Sequence, residues 1–153
     1  MTGKNPAQDT LSQAIQQHQD GDLKSAEILY KQVLKTAPDN AEALHLLGVL
    51  MYQSDRLDLA ATLMEKSLKI EPERADYLYN LANVLGDLGK LDLAVATFQK
   101  AIKLNPKYAK AHYNLGILFK EQNKLDVAVE SFRRAIKCDP NYDKAYNNLG
   151  LAL

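Results

Sequence analysis

A pattern that returns every 34 positions governs what this chain can fold into. Pro38, Pro72, Pro106 and Pro140 keep that step, as do Ala26, Ala60, Ala94 and Ala128, and Leu23, Leu57, Leu91 and Leu125. A small residue recurs at Ala14, Gly48, Ala82, Gly116 and Gly150, and a bulky apolar one at Tyr30, Met64, Phe98 and Phe132. Columns held in register this long mean that each unit is one supersecondary piece, stacked on the next to bury a shared core. The spacing predicts one array with units at 7–40, 41–74, 75–108 and 109–142, a truncated unit at 143–153, and a flexible N-terminus over 1–5.

Each unit reads as two helices. In the third, Leu78, Leu81, Ala82 and Leu85 form one helical stripe, and Leu91, Ala94, Val95, Phe98, Ala101 and Ile102 form a second. Between them lies the turn Leu88-Gly89-Lys90. Proline then closes the unit, because it cannot continue a helix interior. The turn column holds Gly21, Asp55, Gly89 and Asn123, residue types that tolerate a left-handed backbone. No β-type alternation occurs. Asn5, Pro6 and Gln8 read as an N-cap, a proline at the first helical position and a capping-box partner. Gln13, Gln16, Gln17 and Gln19 make the first helix polar, as a capping unit requires. The last segment, Leu149 to Leu153, has no polar cap, so a longer parent array or a packed partner is expected there.

The rhythm Leu115-Gly116, Ala128, Phe132 and Pro140 resembles the tetratricopeptide-repeat (TPR) family, and the resemblance runs over residues 7–153. The family's leading Trp is absent: Thr10, Leu44, Leu78, His112 and Tyr146 stand in its place. The resemblance implies an all-α, right-handed superhelical solenoid of antiparallel helix pairs, about four and a half repeats long. First helices would line a concave groove and second helices the convex side.

Composition narrows the function. Nineteen Lys and Arg balance nineteen Asp and Glu, which argues against general nucleic-acid binding and against a polybasic membrane anchor. No apolar run spans a bilayer, and the N-terminus has no signal-peptide core. One cysteine, Cys138, allows no internal disulfide and reads as a buried structural thiol. A cytoplasmic protein is the expectation. His18, His45 and His112 lie in separate units with no metal-ligand spacing, and no phosphate-binding glycine loop occurs. The sequence therefore predicts no enzyme activity, no catalytic residue, no metal and no cofactor.

The informative column is Asn80, Asn114 and Asn148. Asparagine is a mediocre helix-interior residue, so three in register need a reason. Each amide offers donors and an acceptor, and a row of them can pair with an extended peptide without reading its side chains. The column resembles the asparagine ladder lining the TPR superhelix of O-GlcNAc transferases; here it starts at the third unit, because Ser12 and Leu46 precede it. The bland alternative is that these amides bond between repeats. Spacing adds Asp76, Lys110 and Lys144, then His45, Tyr79, Tyr113 and Asn147, then Asn83, as groove candidates. The tyrosines are expected as amphipathic anchors. A chaperone-tail clamp, as the family knows it, matches at Asn83, Asn114 and Lys144, but Tyr79 and Asn148 replace its two other cations. That leaves too little charge for a strong carboxylate site.

The expectation is a protein-interaction scaffold that holds a protein or peptide segment in its groove. Two alternatives stay open: the substrate-recognition part of a larger O-GlcNAc-transferase-like enzyme, and a module that forms homo-oligomers through its C-terminal helix.

Overall fold

The computed structural model describes residues 6–153, which divide into two compact units, one ending at Pro72 and one beginning at Glu73. The expected flexible segment over 1–5, with Asn5 as N-cap, lies outside the described residues. The first unit holds α1 (Pro6–Gln19), α2 (Leu23–Thr36), α3 (Ala41–Gln53) and α4 (Leu57–Ile70). The second holds α5 (Ala75–Asp87), α6 (Leu91–Leu104), α7 (Ala109–Glu121), α8 (Leu125–Cys138) and α9 (Asp143–Ala152). No strand occurs among the described residues.

The turns between paired helices form where the sequence requires them. Gly21, Asp55, Gly89 and Asn123 all take positive φ, between 58° and 83°. This lets the backbone amide of the following residue reach back to the helix just ended, as Lys90 N–H does to Leu85 C=O at 2.9 Å. Among the described residues, side chains cap the starts of two helices. Asp22 and Asn40 cap α2 and α3 by accepting from the amides of Ser25 and Ala43. The later second helices lack a side-chain cap but place Asp58, Asp92 and Asp126 in their first turn, where the helix dipole favours a negative charge.

The repeat columns are the core. Ala26, Ala60, Ala94 and Ala128 are fully buried, and Tyr30, Met64, Phe98 and Phe132 are at most 1% exposed. In the α3–α4 and α7–α8 pairs the bulky residue fills the space left by a glycine on its partner. A Cβ at Gly116 would lie 2.6 Å from the Phe132 ring, and one at Gly48 would lie 2.9 Å from the Met64 side chain. Nothing lies within 4 Å of the corresponding point at Gly150.

Two expectations about single side chains change. Cys138 is half-buried rather than buried; its Sγ donates to the carbonyl of Pro106 at 3.7 Å. It sits at the last residue of α8, where the helix runs out of covering neighbours. His45 is only 4% exposed, so it belongs to the packing of α3 and not to an open groove surface. Its neighbours Leu44 and Leu47 are equally buried, which makes α3 apolar nearly all round.

Candidate functional site

The strongest constellation lies in the second unit, on the first helices α5, α7 and α9. The carboxamide nitrogen of Asn114 donates to the hydroxyl of Tyr79 at 3.2 Å and to Oδ1 of Asn83 at 2.7 Å. One repeat later, Asn148 Nδ2 donates to the hydroxyl of Tyr113 at 3.1 Å and to the Lys144 carbonyl at 3.1 Å. Lys120 reaches from α7 to Oδ1 of Asn148 at 3.2 Å. Each clasp therefore joins one repeat to the next.

The tyrosines that receive these bonds are themselves wedged in place. Tyr79 stacks on Tyr108 with ring centres 4.9 Å apart and meets Phe98 edge-on at 5.8 Å. Tyr113 meets the corresponding rings in tilted arrangements, Tyr142 at 5.0 Å and Phe132 at 5.8 Å. Every member steps by 34 positions: Tyr79 to Tyr113, Phe98 to Phe132, Tyr108 to Tyr142, Asn114 to Asn148. Burial pushes the phenols of Tyr108 and Tyr142 up to about 12, with smaller contributions from neighbouring tyrosines and a nearby carboxylate. Tyr79 and Tyr113 were expected as anchors for a ligand; their rings are half-buried against these aromatics, so the hydroxyl–amide bond is their main polar business.

The remaining sequence candidates fall into two groups. Asp76 is exposed and gripped by Arg74, with Nε on Oδ1 at 3.0 Å and Nη2 on Oδ2 at 2.8 Å. That guanidinium holds the Asp76 carboxyl below its usual range, and it also lies 4.0 Å from the centre of the Tyr77 ring. Asp76 is thus half of an ion pair rather than an isolated acid. Lys110, Lys144 and Asn147 are exposed, and Asn80 is half-buried on α5. Sequence reasoning missed Arg74 and Lys120. The first shares a unit-boundary column with Asn40, Tyr108 and Tyr142, which gives no hint of a cation. The second reaches across a repeat, which no spacing rule within one helix reveals.

A cleft of about 220 Å³ opens beside the first clasp, lined by Asn83, Gly86, Asn114, Ile117 and Glu121 among others. Oδ1 of Asn114 accepts no hydrogen bond from the described residues and Nδ2 of Asn83 donates none to them, so an acceptor oxygen and a donor nitrogen remain beside this cleft. In the first unit the matching polar contact is different. His18 is held between the Tyr30 hydroxyl at 3.1 Å and Oε1 of Gln53 at 2.8 Å. Because Oε1 only accepts, Nε2 is the donor in the bond to Gln53. No metal-binding cluster of His, Cys, Asp and Glu occurs among the described residues. No helix among them is long and apolar enough to cross a membrane.

Comparison with known proteins agrees with this architecture. Two family models, both described as tetratricopeptide repeat, match residues 17–84 and 79–143. A search of curated protein sequences found no match. Among solved structures, the chain is similar to a crystal structure of MamA protein, with 28% identity and a TM-score of 0.89 over 95% of this chain and 80% of that one. It is similar to YrrB, described as a TPR protein with an unusual peptide-binding site, with 25% identity and a TM-score of 0.84 over 98% and 77%. It is also similar to a mutant O-GlcNAc transferase from Thermobaculum terrenum, with 33% identity and a TM-score of 0.75, covering 88% of this chain but 27% of the enzyme. The columns, the helix pairs and both family models lead to one assignment: the chain belongs to the tetratricopeptide-repeat family.

Proposed function

We propose that this chain is a protein-interaction module that holds an extended peptide segment along the face of α5, α7 and α9. The observation that carries the reading is the Asn83–Asn114 pair. Asn114 Nδ2 lies 2.7 Å from Asn83 Oδ1 beside a 220 Å³ cleft, which leaves the Asn114 oxygen and the Asn83 nitrogen for a ligand. A peptide backbone presents matching N–H and C=O groups, and the cleft suits one side chain of such a segment. The peptide-binding site described for YrrB supports the same use of a related fold. Lys110, Lys144 and Asn147 flank the path as exposed polar contacts, and Asn80 and Asn148 extend it.

The test must separate ligand binding from the repeat-joining role of the same amides. Wild type, the N80A/N114A/N148A variant and a Y79F/Y113F control are used to capture binding partners from a lysate, with circular dichroism confirming helicity. The control removes the clasp hydroxyls and keeps every amide. Loss of partners in the asparagine variant alone supports the reading. Equal loss in both variants, or in neither, overturns it.

The likeness to the transferase favours a second reading, in which the chain recruits substrate for a larger enzyme. It rests on 33% identity over only 27% of that enzyme. A transferase domain in the parent gene product would support it.

A further inference from the structure

A second cleft, of about 730 Å³, lies where the end of α6, the loop before α7 and the last turns of α8 meet. Its walls carry Lys107, Arg133, Arg134 and Lys137 against a single acid, Glu130. Glu130 is bonded to Arg134 at 2.9 Å, and Lys107, Arg133 and Lys137 make no ion pair among the described residues. A chain with zero formal charge thus concentrates unpaired cations at one spot.

The repeat itself supplies the control. Lys137 belongs to a lysine column with Lys35, Lys69 and Lys103, and its place near a helix C-terminus explains it. Arg134 follows Lys66 and Lys100, and Ile102 and Pro106 keep their columns, but four other wall residues depart from theirs. Arg133 stands where earlier units have Lys31, Glu65 and Gln99. Lys107 stands where they have Asp39 and Glu73, and Cys138 where they have Thr36, Ile70 and Leu104. His112 replaces Leu44 and Leu78, is 5% exposed, and bonds through Nε2 to the Pro106 carbonyl at 3.0 Å. Stacking does not require these residues, because sister repeats stack without them. Yet they converge on one cleft.

We infer that this cleft binds an acidic, partly apolar peptide segment of a partner protein, at a site separate from the Asn83–Asn114 face. Arg133 can grip a carboxylate with two parallel N–H bonds, and Lys107 supplies a second charge from a different element. Ile102 and Pro106 give the floor an apolar stretch. A bare phosphate fits less well: the cleft lies at the C-terminal ends of α6 and α8, where carbonyl dipoles repel a small dense anion. Carboxylates spread along a chain can stay on the long cationic side chains, away from those ends. The volume falls within the range of roughly 300–1,000 Å³ in which such sites hold ligands.

Cys138, the chain's one cysteine, is half-buried in the wall and reports occupancy. The test follows its modification by an uncharged disulfide reagent while a short synthetic glutamate–leucine peptide is titrated at low salt. The expected result is slowed modification that fades as salt is added. In R133Q/K107E, which restores the residue types of the preceding repeat, half-protection should need about tenfold more peptide. Circular dichroism checks the fold, and K107E alone, on an exposed loop, serves if the double variant does not fold. The inference is overturned by absence of protection, by equal protection from a glutamine–leucine peptide or from inorganic phosphate, or by protection unchanged in the variants.

Discussion

The Tyr79 hydroxyl lies 3.2 Å from the carboxamide nitrogen of Asn114, 35 positions further along the chain. Tyr113 and Asn148 repeat the relationship at 3.1 Å. A residue type that weakens helices is thereby set to work between them. The asparagine side chain satisfies a half-buried phenol and ties one first helix to the next.

This clasp should show measurable coupling. In a double-mutant cycle on Y79F and N114A, the interaction energy should be about 0.5–1.5 kcal/mol by denaturant unfolding. N114A alone should cost more than Y79F, because it also strips Asn83 of its partner. Additive effects would mean that the hydroxyl and the amide act independently.

The glycine column should split by position. G116A drives a methyl group against the Phe132 ring and should destabilise by about 1–3 kcal/mol. G150A meets open space and should be neutral or stabilising by up to about 1 kcal/mol, since alanine is the better helix former. Thermal unfolding of the two variants beside wild type decides this.

Alkaline pH should loosen the fold through its buried phenols. Burial holds Tyr30, Tyr108 and Tyr142 protonated up to about 12, against 10 for an ordinary tyrosine. Between those values the unfolded chain has lost protons that the folded chain keeps, so stability falls as pH rises. The contribution is intact below pH 10. Phenolate absorbance should show a late phase that coincides with loss of helix, and Y142F should shrink it.

Acid should act on the first unit through Glu27. Arg56 binds its carboxylate at 2.5 Å and Lys31 at 2.6 Å, and both hold it below the usual 4.5 of a glutamate. A lowered folded value stabilises above the unfolded one, and that contribution fades as pH falls below 4.5. The effect is modest, roughly 0.3–1 kcal/mol, because the cations are largely exposed. E27Q should flatten this part of the pH profile, and added salt should weaken it in wild type.

The fold was legible because a repeat states its rules several times over. The left-handed turns at Asp55 and Asn123, the buried alanines and the bulky residues opposite small ones all follow from columns. The site was legible only in part. The column of Asn114 and Asn148 was visible, but its partners Tyr79, Tyr113 and Lys120 lie a helix away, at separations that helical periodicity does not encode. His45 misled for a related reason. A groove position assigned by counting assumes that every unit turns the same face outward, and α3 is buried on more sides than α5 or α7.

The aromatic and amide cluster from Tyr79 through Phe98 and Tyr108 to Asn114 begins inside one 34-residue unit and ends inside the next. The following cluster opens at Tyr113, before the first has closed at Asn114. Dividing the chain at 108/109, where the columns restart, severs the Asn114 contacts with both Tyr79 and Asn83. Dividing it just after Asn114 instead parts Tyr113 from Phe132, Tyr142 and Asn148. These repeats are therefore shingled rather than laid end to end, and the region offers no clean seam. For anyone grafting or shuffling them, a transplanted repeat keeps its side-chain bonds only when the next first helix travels with it.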